Sequence, residues 1–302
     1  MIYWGMSSGH DATLSIFHNN LLIDSFRYTS IKDIEKAKNI APPEKVVWFE
    51  NPYLKGLRQM RAGQPNFISR NNVSKILKDL GIKCPWTYVS HHGAHAAAFY
   101  QTDFREALIF VMDSIGEYNC TSVWKGTSKA LYMGHKENKL KCLGKQNYPD
   151  SLGLFYSSMV KASGLIPNKD ESLFESISNK IYFNRYLYRD IQSMIIPHIW
   201  RPIFVDNLHR GVGNKFSSYK QEEIAATTQI VFEEIVLKMC NYWINKTGIT
   251  NVILSGGCAH NKGIQNKLKE LAANVWVPAD PGDSGSSISC VLKYLKTKIK
   301  KK

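Results

Sequence analysis

One succession of predicted elements occurs twice along this chain of 302 residues: three strands, then a helix, a strand and a helix. The first copy opens with the β-type run "IYWGMSS" and a hairpin, "ATLSIFHNNLLIDSFRY", whose strands are joined by "HNN", because asparagine tolerates turn conformations. "KVVWFE" is predicted as a third strand, and a helix over about residues 71–80 ends at Gly81. The strand "WTYVS" and a helix rich in histidine and alanine complete the copy.

The second copy begins with "ALIFVMDSIGE", a buried strand predicted to end at Asp113, followed by strands at "NCTSVWKG" and "ALYMGH". The helix "SLGLFYSSMVKASG" ends at Gly164. The strands "NVILSGG" and "VWV" are each followed by a helix. A chain that repeats one order of elements folds as two similar units, so we expect an α/β fold of two lobes with a cleft between them.

The longest predicted helix lies in the second copy. Ser218 and Gln221 suit a capping box at its start, and Gly248 suits its C-terminal cap. We assign residues 1–106 to lobe I and 107–302 to lobe II, with an insertion near 165–216 and a basic C-terminal tail. Ligands of such folds bind where strands end at their carboxyl edges.

Two histidines and two aspartates stand at predicted strand or loop ends. His91 and His95 in "SHHGAH" are four residues apart and share a helical face, where two imidazoles can bind one metal. Asp113 ends an apolar strand, and Asp283 lies in the glycine-rich loop "PGDSGSS". This nitrogen and oxygen set suits Fe(II), Mn or Zn better than Mg or Ca. Alternatively, Asp113 is a turn residue and Asp283 a helix N-cap.

Two further loops carry candidate binding residues. In "LSGGCAHN", Gly256 and Gly257 let backbone N–H groups approach a phosphate or ribose, and Asn261 could reach a base or sugar hydroxyl. A tight strand-to-helix turn is the alternative. In "GHDA", His10 could act as a general base beside Asp11, or it could serve as a hydrogen-bonding turn residue.

The net charge limits the classes of binding partner that we expect, and the cysteine content limits the expected cellular compartment. Net charge is +14, and "KYLKTKIKKK" holds six of the lysines in ten residues. A second basic group lies between Lys55 and Arg70. Such charge favours a polyanion such as nucleic acid, or it serves as a solubilising surface. Six scattered cysteines without a CxxC pair, no signal peptide and no long apolar run predict a cytoplasmic protein without a membrane span.

The motifs together resemble a known family. "GMSSGHDATLSIF", "SHHGAHAAAFY", "ALIFVMDSIGEYNCTSVW", "SLGLFYSSMVKASG", "LSGGCAHN" and "PADPGDSGSSISCVL" occur in the order seen in NodU-type O-carbamoyltransferases. The matching domain also resembles tRNA threonylcarbamoyl transferases, which share an actin-like (ASKHA) fold. The resemblance therefore implies that the two predicted lobes form an actin-like duplicated fold.

The resemblance also implies a reaction. The four-residue set would hold Fe(II) or another divalent transition metal, and His10 would be the base. A substrate hydroxyl, with Asp11 and Glu117 as substrate-binding residues, would attack carbamoyl-adenylate made from carbamoyl phosphate and ATP, and AMP would leave. The acceptor could be a nucleic-acid base, a nucleotide or a small sugar. Nucleotide binding is assigned to Gly256, Gly257 and Asn261.

The chain departs from the family in two ways. Full-length members carry a C-terminal YrdC-like domain that makes carbamoyl-adenylate, whereas this sequence ends in lysines after the last helix, so a separate YrdC-like protein is an expected partner. The family segment resembling GExKVMGLA is "DESLFESIS", with Leu173 at the lysine position and Ser176 at the later glycine. Alternative functions are a tRNA threonylcarbamoyl transferase-like enzyme and a non-catalytic nucleotide- or metal-binding partner subunit.

Overall fold

The first sheet has five strands and is built from the first third of the chain. The structure is a computed structural model that describes residues 1–9, 12–61, 64, 67–130, 136–179 and 183–300. The strands are β1 (Ile2–Met6), β2 (Thr13–His18), β3 (Leu21–Arg27), β4 (Lys45–Phe49) and β5 (Trp86–Val89), in the order β3-β2-β1-β4-β5. The first three are antiparallel neighbours, whereas β1, β4 and β5 run parallel. The predicted hairpin is confirmed, and Asn19 in its turn has a φ of 54°.

The second sheet repeats this arrangement strand for strand. Its members are β6 (Glu106–Gly116), β7 (Asn119–Ala130), β8 (Lys136–Asn147), β11 (Asn251–Ser255) and β12 (Asn274–Trp276), in the order β8-β7-β6-β11-β12. Again the first three are antiparallel neighbours, and β6, β11 and β12 run parallel. The predicted duplication is therefore present in the pairing of the backbone.

In each half, the first helix follows the three antiparallel strands of the sheet. Between β3 and β6 lie α1 (Ile31–Ile40), α2 (Pro52–Arg61), α3 (Phe67–Arg70), α4 (Val73–Asp79) and α5 (His91–Ala96). After β8 come α6 (Leu152–Ala162), α7 (Glu171–Ser178), α8 (Arg185–Gln192), α9 (Gln221–Thr247), α10 (Lys262–Leu271) and α11 (Ser286–Leu295). The region predicted as an insertion contains α7, α8 and a small hairpin of β9 (Ile195–Ile196) and β10 (Ile203–Phe204).

Two local predictions need correction, and a third falls mostly outside the described residues. The strand β6 does not end at Asp113 but continues to Gly116, because the pairing with β7 resumes there after an irregularity. The capping box of α9 is not formed by Ser218 and Gln221. Instead the Glu223 carboxylate accepts the Lys220 N–H at 3.0 Å, two residues further along. Most of "ALYMGH", residues 131–135, lies outside the described residues, and the third strand of the second sheet is β8.

The last helix of each half packs against the other half. Helix α11 lies on β1 and β4 of the first sheet, α5 lies on β6 of the second, and the two helices contact each other. Around them the two sheets share one buried apolar cluster that includes Val47, Phe49, Phe99, Ile109, Val111 and Leu292. The division of the lobes after residue 106 stays a prediction, since α11 belongs to lobe II by sequence but packs on lobe I.

The described helices were also compared with the requirements of a membrane span. No helix among the described residues is both long enough and apolar enough to cross a bilayer. The longest, α9, carries acidic residues in its first turn and buries its apolar residues inside the second lobe.

A substitution at Gly5 would test how closely α11 packs on β1. A Cβ atom at this position would overlap the backbone carbonyl of Ser287, which no side-chain rotation can move away. We expect Gly5→Ala to lower the free energy of unfolding by about 3 kcal/mol, at the upper end of the usual cost of overpacking. Urea unfolding measures this change. The matched control is Ser25→Ala on the exposed part of β3, and an equal effect of the two changes would contradict the packing argument.

Candidate metal centre

Four side chains predicted to meet do meet where the parallel strands of both sheets end. His91 and His95 are one turn apart on α5, which begins just after β5, and they are 3% and 2% exposed. Asp113 lies near the carboxyl end of β6, and Asp283 begins a 3-10 turn in the segment between β12 and α11. Asp283 therefore does not cap α11, which was the alternative interpretation of its position.

The potential ligand atoms lie close together. The Nε2 atom of His91 is 3.0 Å from Oδ2 of Asp113, and Nε2 of His95 is 3.2 Å from Oδ1 of Asp283. The crossed pairs, His91 to Asp283 and His95 to Asp113, are 3.4 Å and 3.6 Å apart. All four atoms fall within 4.8 Å of one another. Two imidazole nitrogens and two carboxylate oxygens converging on one point match the ligand set of a divalent transition metal.

Each imidazole also has a polar partner at Nδ1, the ring nitrogen that does not face the shared point. Nδ1 of His91 is 3.3 Å from Oε2 of Glu50, and Nδ1 of His95 is 3.2 Å from the Ser255 hydroxyl. Partners of this kind fix the tautomer and the ring orientation of metal-binding histidines. Both rings consequently direct Nε2 at the shared point, so the donor set and its support fit a metal ion.

Glu50 and Glu117 anchor the start of the histidine helix. Both adopt a left-handed backbone conformation, with φ of 67° and 56°. Glu50 also forms an ion pair with Lys55, while Oε1 of Glu117 accepts the backbone N–H groups of Asn51 at 2.8 Å and His91 at 3.1 Å. One carboxylate therefore orients the His91 side chain, and the other orients its backbone.

The two glutamates differ in acidity. Burial would raise the pKa of Glu50, but the hydrogen bond with His91 and the charge of Lys55 outweigh burial and lower it to about 2. Burial raises the pKa of Glu117, and the backbone donors oppose this only partly. The sequence prediction assigned Glu117 to substrate binding, and that role stays a prediction. Glu50 was not predicted, although an acid directly after the apolar strand "KVVWF" was a usable signal.

His92, the middle histidine of the motif, faces away from the cluster. Its Nδ1 lies 2.6 Å from the Ser122 hydroxyl on β7. Burial lowers the pKa of this imidazole, and the neighbouring His91 lowers it further. His92 is therefore a neutral residue packed against the second sheet, and it offers a natural control for its two neighbours.

The glycine turn after β11 lies beside Asp113. Gly256 has a φ of 89°, and a Cβ atom there would overlap the Met112 carbonyl, so only glycine fits this approach to β6. Gly257 faces the Asp113 carboxylate. The Asn261 side chain caps α10 by accepting the Ile264 N–H at 3.0 Å and exchanges hydrogen bonds with Gln229. The nucleotide contacts predicted for these residues stay predictions.

Three of the four residues, His91, Asp113 and Asp283, line a cavity of about 770 Å³, here called the metal cavity. Helix α7, the segment that departs from the family pattern, forms part of its wall. Its exposed Leu173 does not line the cavity, whereas Glu175 does and accepts the Gly263 N–H at 2.8 Å. The remaining carboxylates of the wall are Asp113, Glu171, Asp280 and Asp283. The volume suits a ligand of nucleotide size.

The predicted catalytic loop is described only at its edges. His10 and Asp11 lie outside the described residues, so their roles stay predictions. On either side of them, the Ser7 hydroxyl lies 3.0 Å from that of Thr13, and the Thr13 hydroxyl donates to the Ser284 carbonyl at 2.8 Å. The described ends of the loop are therefore tied to the residue that follows Asp283.

A comparison with known families finds one that spans most of the chain. The model of the carbamoyltransferase N-terminus matches residues 31–195 and 203–292. The chain belongs to this carbamoyltransferase family. The resemblance inferred from the motifs is thereby confirmed.

Relatives of this carbamoyltransferase domain are longer than the chain. The uncharacterized protein sll1178 of Synechocystis sp. is 28% identical over 79% of this chain, and MJ1051 of Methanocaldococcus jannaschii is 26% identical over 95%. The nodulation protein NolO of Bradyrhizobium diazoefficiens is 27% identical over 68%. The chain spans 43%, 56% and 38% of these proteins, respectively, so the activity of a whole relative reaches this chain only as a proposal.

Solved structures agree on the fold. HypF of T. kodakarensis superimposes with a TM-score of 0.55 at 13% identity, over 97% of this chain and 47% of HypF. Full-length HypF in the phosphate- and nucleotide-bound form gives a TM-score of 0.50 at 13% identity, over 98% of this chain and 46% of HypF. At this identity the likeness concerns the fold alone. Together with the repeated sheet topology, it confirms the predicted actin-like duplicated fold of two lobes.

We expect purified carbamoyltransferase domain to retain about one equivalent of a divalent transition metal, because four converging ligands bind it only in the folded chain. His95→Ala and Asp283→Ala should each remove it, as measured by elemental mass spectrometry. His92→Asn is the control and should keep the metal, since His92 faces β7. Full metal content in His95→Ala would contradict the ligand assignment.

A second expectation concerns the support behind His91. Glu50→Gln keeps the size of the side chain but removes the charge that orients the imidazole, and we expect metal affinity to fall about 10- to 100-fold. Competition with a chromogenic chelator measures this affinity. Glu35→Gln on the exposed face of α1 removes one negative charge without touching the site. Equal affinities for the two variants would show that Glu50 does not act through His91.

Proposed function

We propose that this domain transfers a carbamoyl group from carbamoyl-adenylate to an acceptor hydroxyl. The observation that carries the proposal is the four-ligand cluster, three of whose residues line the metal cavity, in a chain of the carbamoyltransferase family. Two imidazole nitrogens and two carboxylate oxygens that converge at a cavity wall are donors that a divalent metal would bind. Membership of the family indicates that the reaction is a carbamoyl transfer, and the metal cavity is a space in which it could take place.

The proposed transfer forms one bond to the carbamoyl carbon and breaks another. The acceptor oxygen forms a bond to the carbamoyl carbon, the bond from that carbon to the phosphate oxygen breaks, and AMP leaves with the electron pair. The hydroxyl proton passes to a base, for which His10 is the candidate from the sequence. A divalent metal, proposed to be Fe(II) or a similar ion, would polarise the carbonyl or bind the leaving phosphate. His91, His95, Asp113 and Asp283 would hold it.

The chain's own residues would position the donor. The turn at Gly256 and Gly257 brings backbone close to Asp113, so a phosphate there would lie beside the metal ligands. Carbamoyl-adenylate would be formed from carbamoyl phosphate and ATP, and we propose a separate YrdC-like protein as its source for this chain. All six cysteines are unpaired thiols, and both donor compounds are intracellular, so we place the reaction in the cytoplasm.

We propose that the acceptor is a nucleic acid or a nucleotide, because the chain has a large excess of basic residues. Part of the C-terminal charge has a structural use. The Lys298 ammonium donates to the carbonyls of Phe99 and Thr102, both at 2.7 Å, and Lys300 pairs with the turn before β3. The tail as far as residue 300 is therefore docked on the protein rather than available as a free tether.

The test is direct. The chain, loaded with Fe(II), is incubated with ATP, carbamoyl phosphate and a separate YrdC-like protein, and hydroxyl-bearing nucleotides and sugars are examined by mass spectrometry. We expect one carbamoyl group on the acceptor, turnover only with the YrdC-like protein present, and loss of at least about 100-fold in His91→Ala, because the reacting groups lose their orientation.

The matched control is His92→Asn, which should retain turnover because its imidazole does not reach the metal cavity. Carbamoylation by the chain without the YrdC-like protein would overturn the proposed donor route. Metal and nucleotide binding without transfer to any acceptor would instead support a non-catalytic partner subunit.

A further inference from the structure

A second cavity of about 940 Å³ adjoins the metal cavity. It is bordered by α2, by the turn between β6 and β7, and by α6. We call it the arginine cavity, after Arg58 and Arg61 of α2. Ser114, Ile115, Ser157 and Asn168 line both cavities. The two spaces are therefore neighbours across the short segment that follows the metal ligand Asp113.

The two cavities have opposite electrostatic character. Arg58, Arg61 and Lys161 line the arginine cavity, and none of its described lining residues is an aspartate or glutamate. The metal cavity, in contrast, has five carboxylates in its wall against two cationic side chains, Arg27 and Lys169. Three cations on a wall whose described lining residues include no carboxylate favour an anionic ligand, although Glu171 lies just behind this wall, where it accepts from Ser157 and Asn168.

The arginines are held in place by the protein. The Arg58 guanidinium donates to the Ile115 carbonyl at 2.9 Å, and its other N–H groups have no hydrogen-bond partner among the described residues, so they can bind a ligand. The Arg61 guanidinium lies 5.8 Å from the centre of the Tyr118 ring. A planar guanidinium fixed in this way can bind a phosphate through two parallel hydrogen bonds.

Aromatic side chains complete the wall. Tyr118 lies under Arg61, and Tyr148 packs edge-on against His209 at a ring separation of 6.0 Å. Aromatic rings beside basic groups suit a ligand that combines a phosphate with a base or sugar ring.

We propose that the arginine cavity binds the phosphate of a phosphorylated acceptor. The phosphate is a monoester of a free nucleotide or a diester within a polynucleotide. This inference rests on the proposed carbamoyl transfer, since it names the acceptor of that reaction. Arg61 and Lys161 bind the phosphate from the exposed side and Arg58 binds it from the inner side, while the acceptor hydroxyl points past Ser114 towards the metal ligands.

The distances permit this arrangement. Ile115, whose carbonyl accepts from Arg58, lies two positions after Asp113, so the Cα atoms of Asp113 and Ile115 are at most about 7.2 Å apart. A nucleotide spans more than this. A phosphate at Arg58 and a hydroxyl at the metal cluster can therefore belong to one molecule.

The test measures binding without turnover. Uridine, uridine 5′-monophosphate and a hexamer of deoxythymidine are titrated by calorimetry into chain treated with EDTA, so that phosphate cannot bind through a metal. The variants are Arg61→Gln and Lys161→Gln, both exposed positions whose replacement should leave folding intact. Lys36→Gln on the exposed face of α1 is the control of equal charge change.

We expect the phosphorylated probes to bind at least about tenfold more tightly than uridine, and each cavity variant to lose about that factor, the effect of one charge-assisted hydrogen bond. The control should lose none of it. Preference for the monophosphate identifies a free nucleotide, and binding of the hexamer alone identifies a polynucleotide. Equal binding of uridine and the phosphorylated probes, or unchanged affinities in both cavity variants, would overturn the proposal.

This outcome is separable from that of the proposed function. If phosphorylated probes bind through Arg61 but no acceptor gains a carbamoyl group, the anion site stands and the transfer reaction is refuted. If a neutral acceptor is carbamoylated with the same KM in Arg61→Gln and Lys161→Gln, the transfer reaction stands and the phosphorylated acceptor is refuted.

Discussion

The structure is organised around the burial of two imidazoles against two carboxylates. His91 and His95 are almost completely buried, and Asp113 lies with them near the carboxyl end of the strand β6. Burial would raise the pKa of Asp113, but the hydrogen bond and charge of His91 lower it. A buried carboxylate is tolerated only with such compensation, either from an imidazolium or from a metal ion. The fold places the imidazoles of His91 and His95 beside Asp113, where they supply this compensation.

The duplicated fold explains why these groups can meet. Each sheet directs its parallel strands to the same edge, and the exchange of α5 and α11 between the halves brings those two edges together. The histidines come from the end of the first half, Asp113 from the first strand of the second half, and Asp283 from the end of the second half. The site therefore depends on the contact between the halves, whose shared core includes Phe49 and Val111.

Two further carboxylates hold His91 in its orientation. Glu50 and Glu117 occupy left-handed conformations that cost free energy in non-glycine residues, and both are tied to His91. Lys55 balances Glu50 from α2, the same helix that carries Arg58 and Arg61. Helix α2 thus carries both the cation that pairs with Glu50 and two arginines of the arginine cavity. Three members of the basic group between Lys55 and Arg70 therefore have contacts within the protein, namely Lys55 with Glu50, Arg58 with Ile115 and Arg61 with Tyr118.

The sequence by itself determined much of the fold and the membership of the four-residue cluster. Periodicity and turn residues predicted the hairpin at Asn19, the C-terminal end of α9 at Gly248 and the repeated order of elements, because these depend on local conformational preference. The spacing of His91 and His95 placed them on one helical face. Only the tertiary structure decided that Glu50 orients His91, that His92 turns to Ser122, and that Arg58 faces a second cavity. These are contacts between segments distant in the chain, set by how the two halves pack, and no local pattern encodes them.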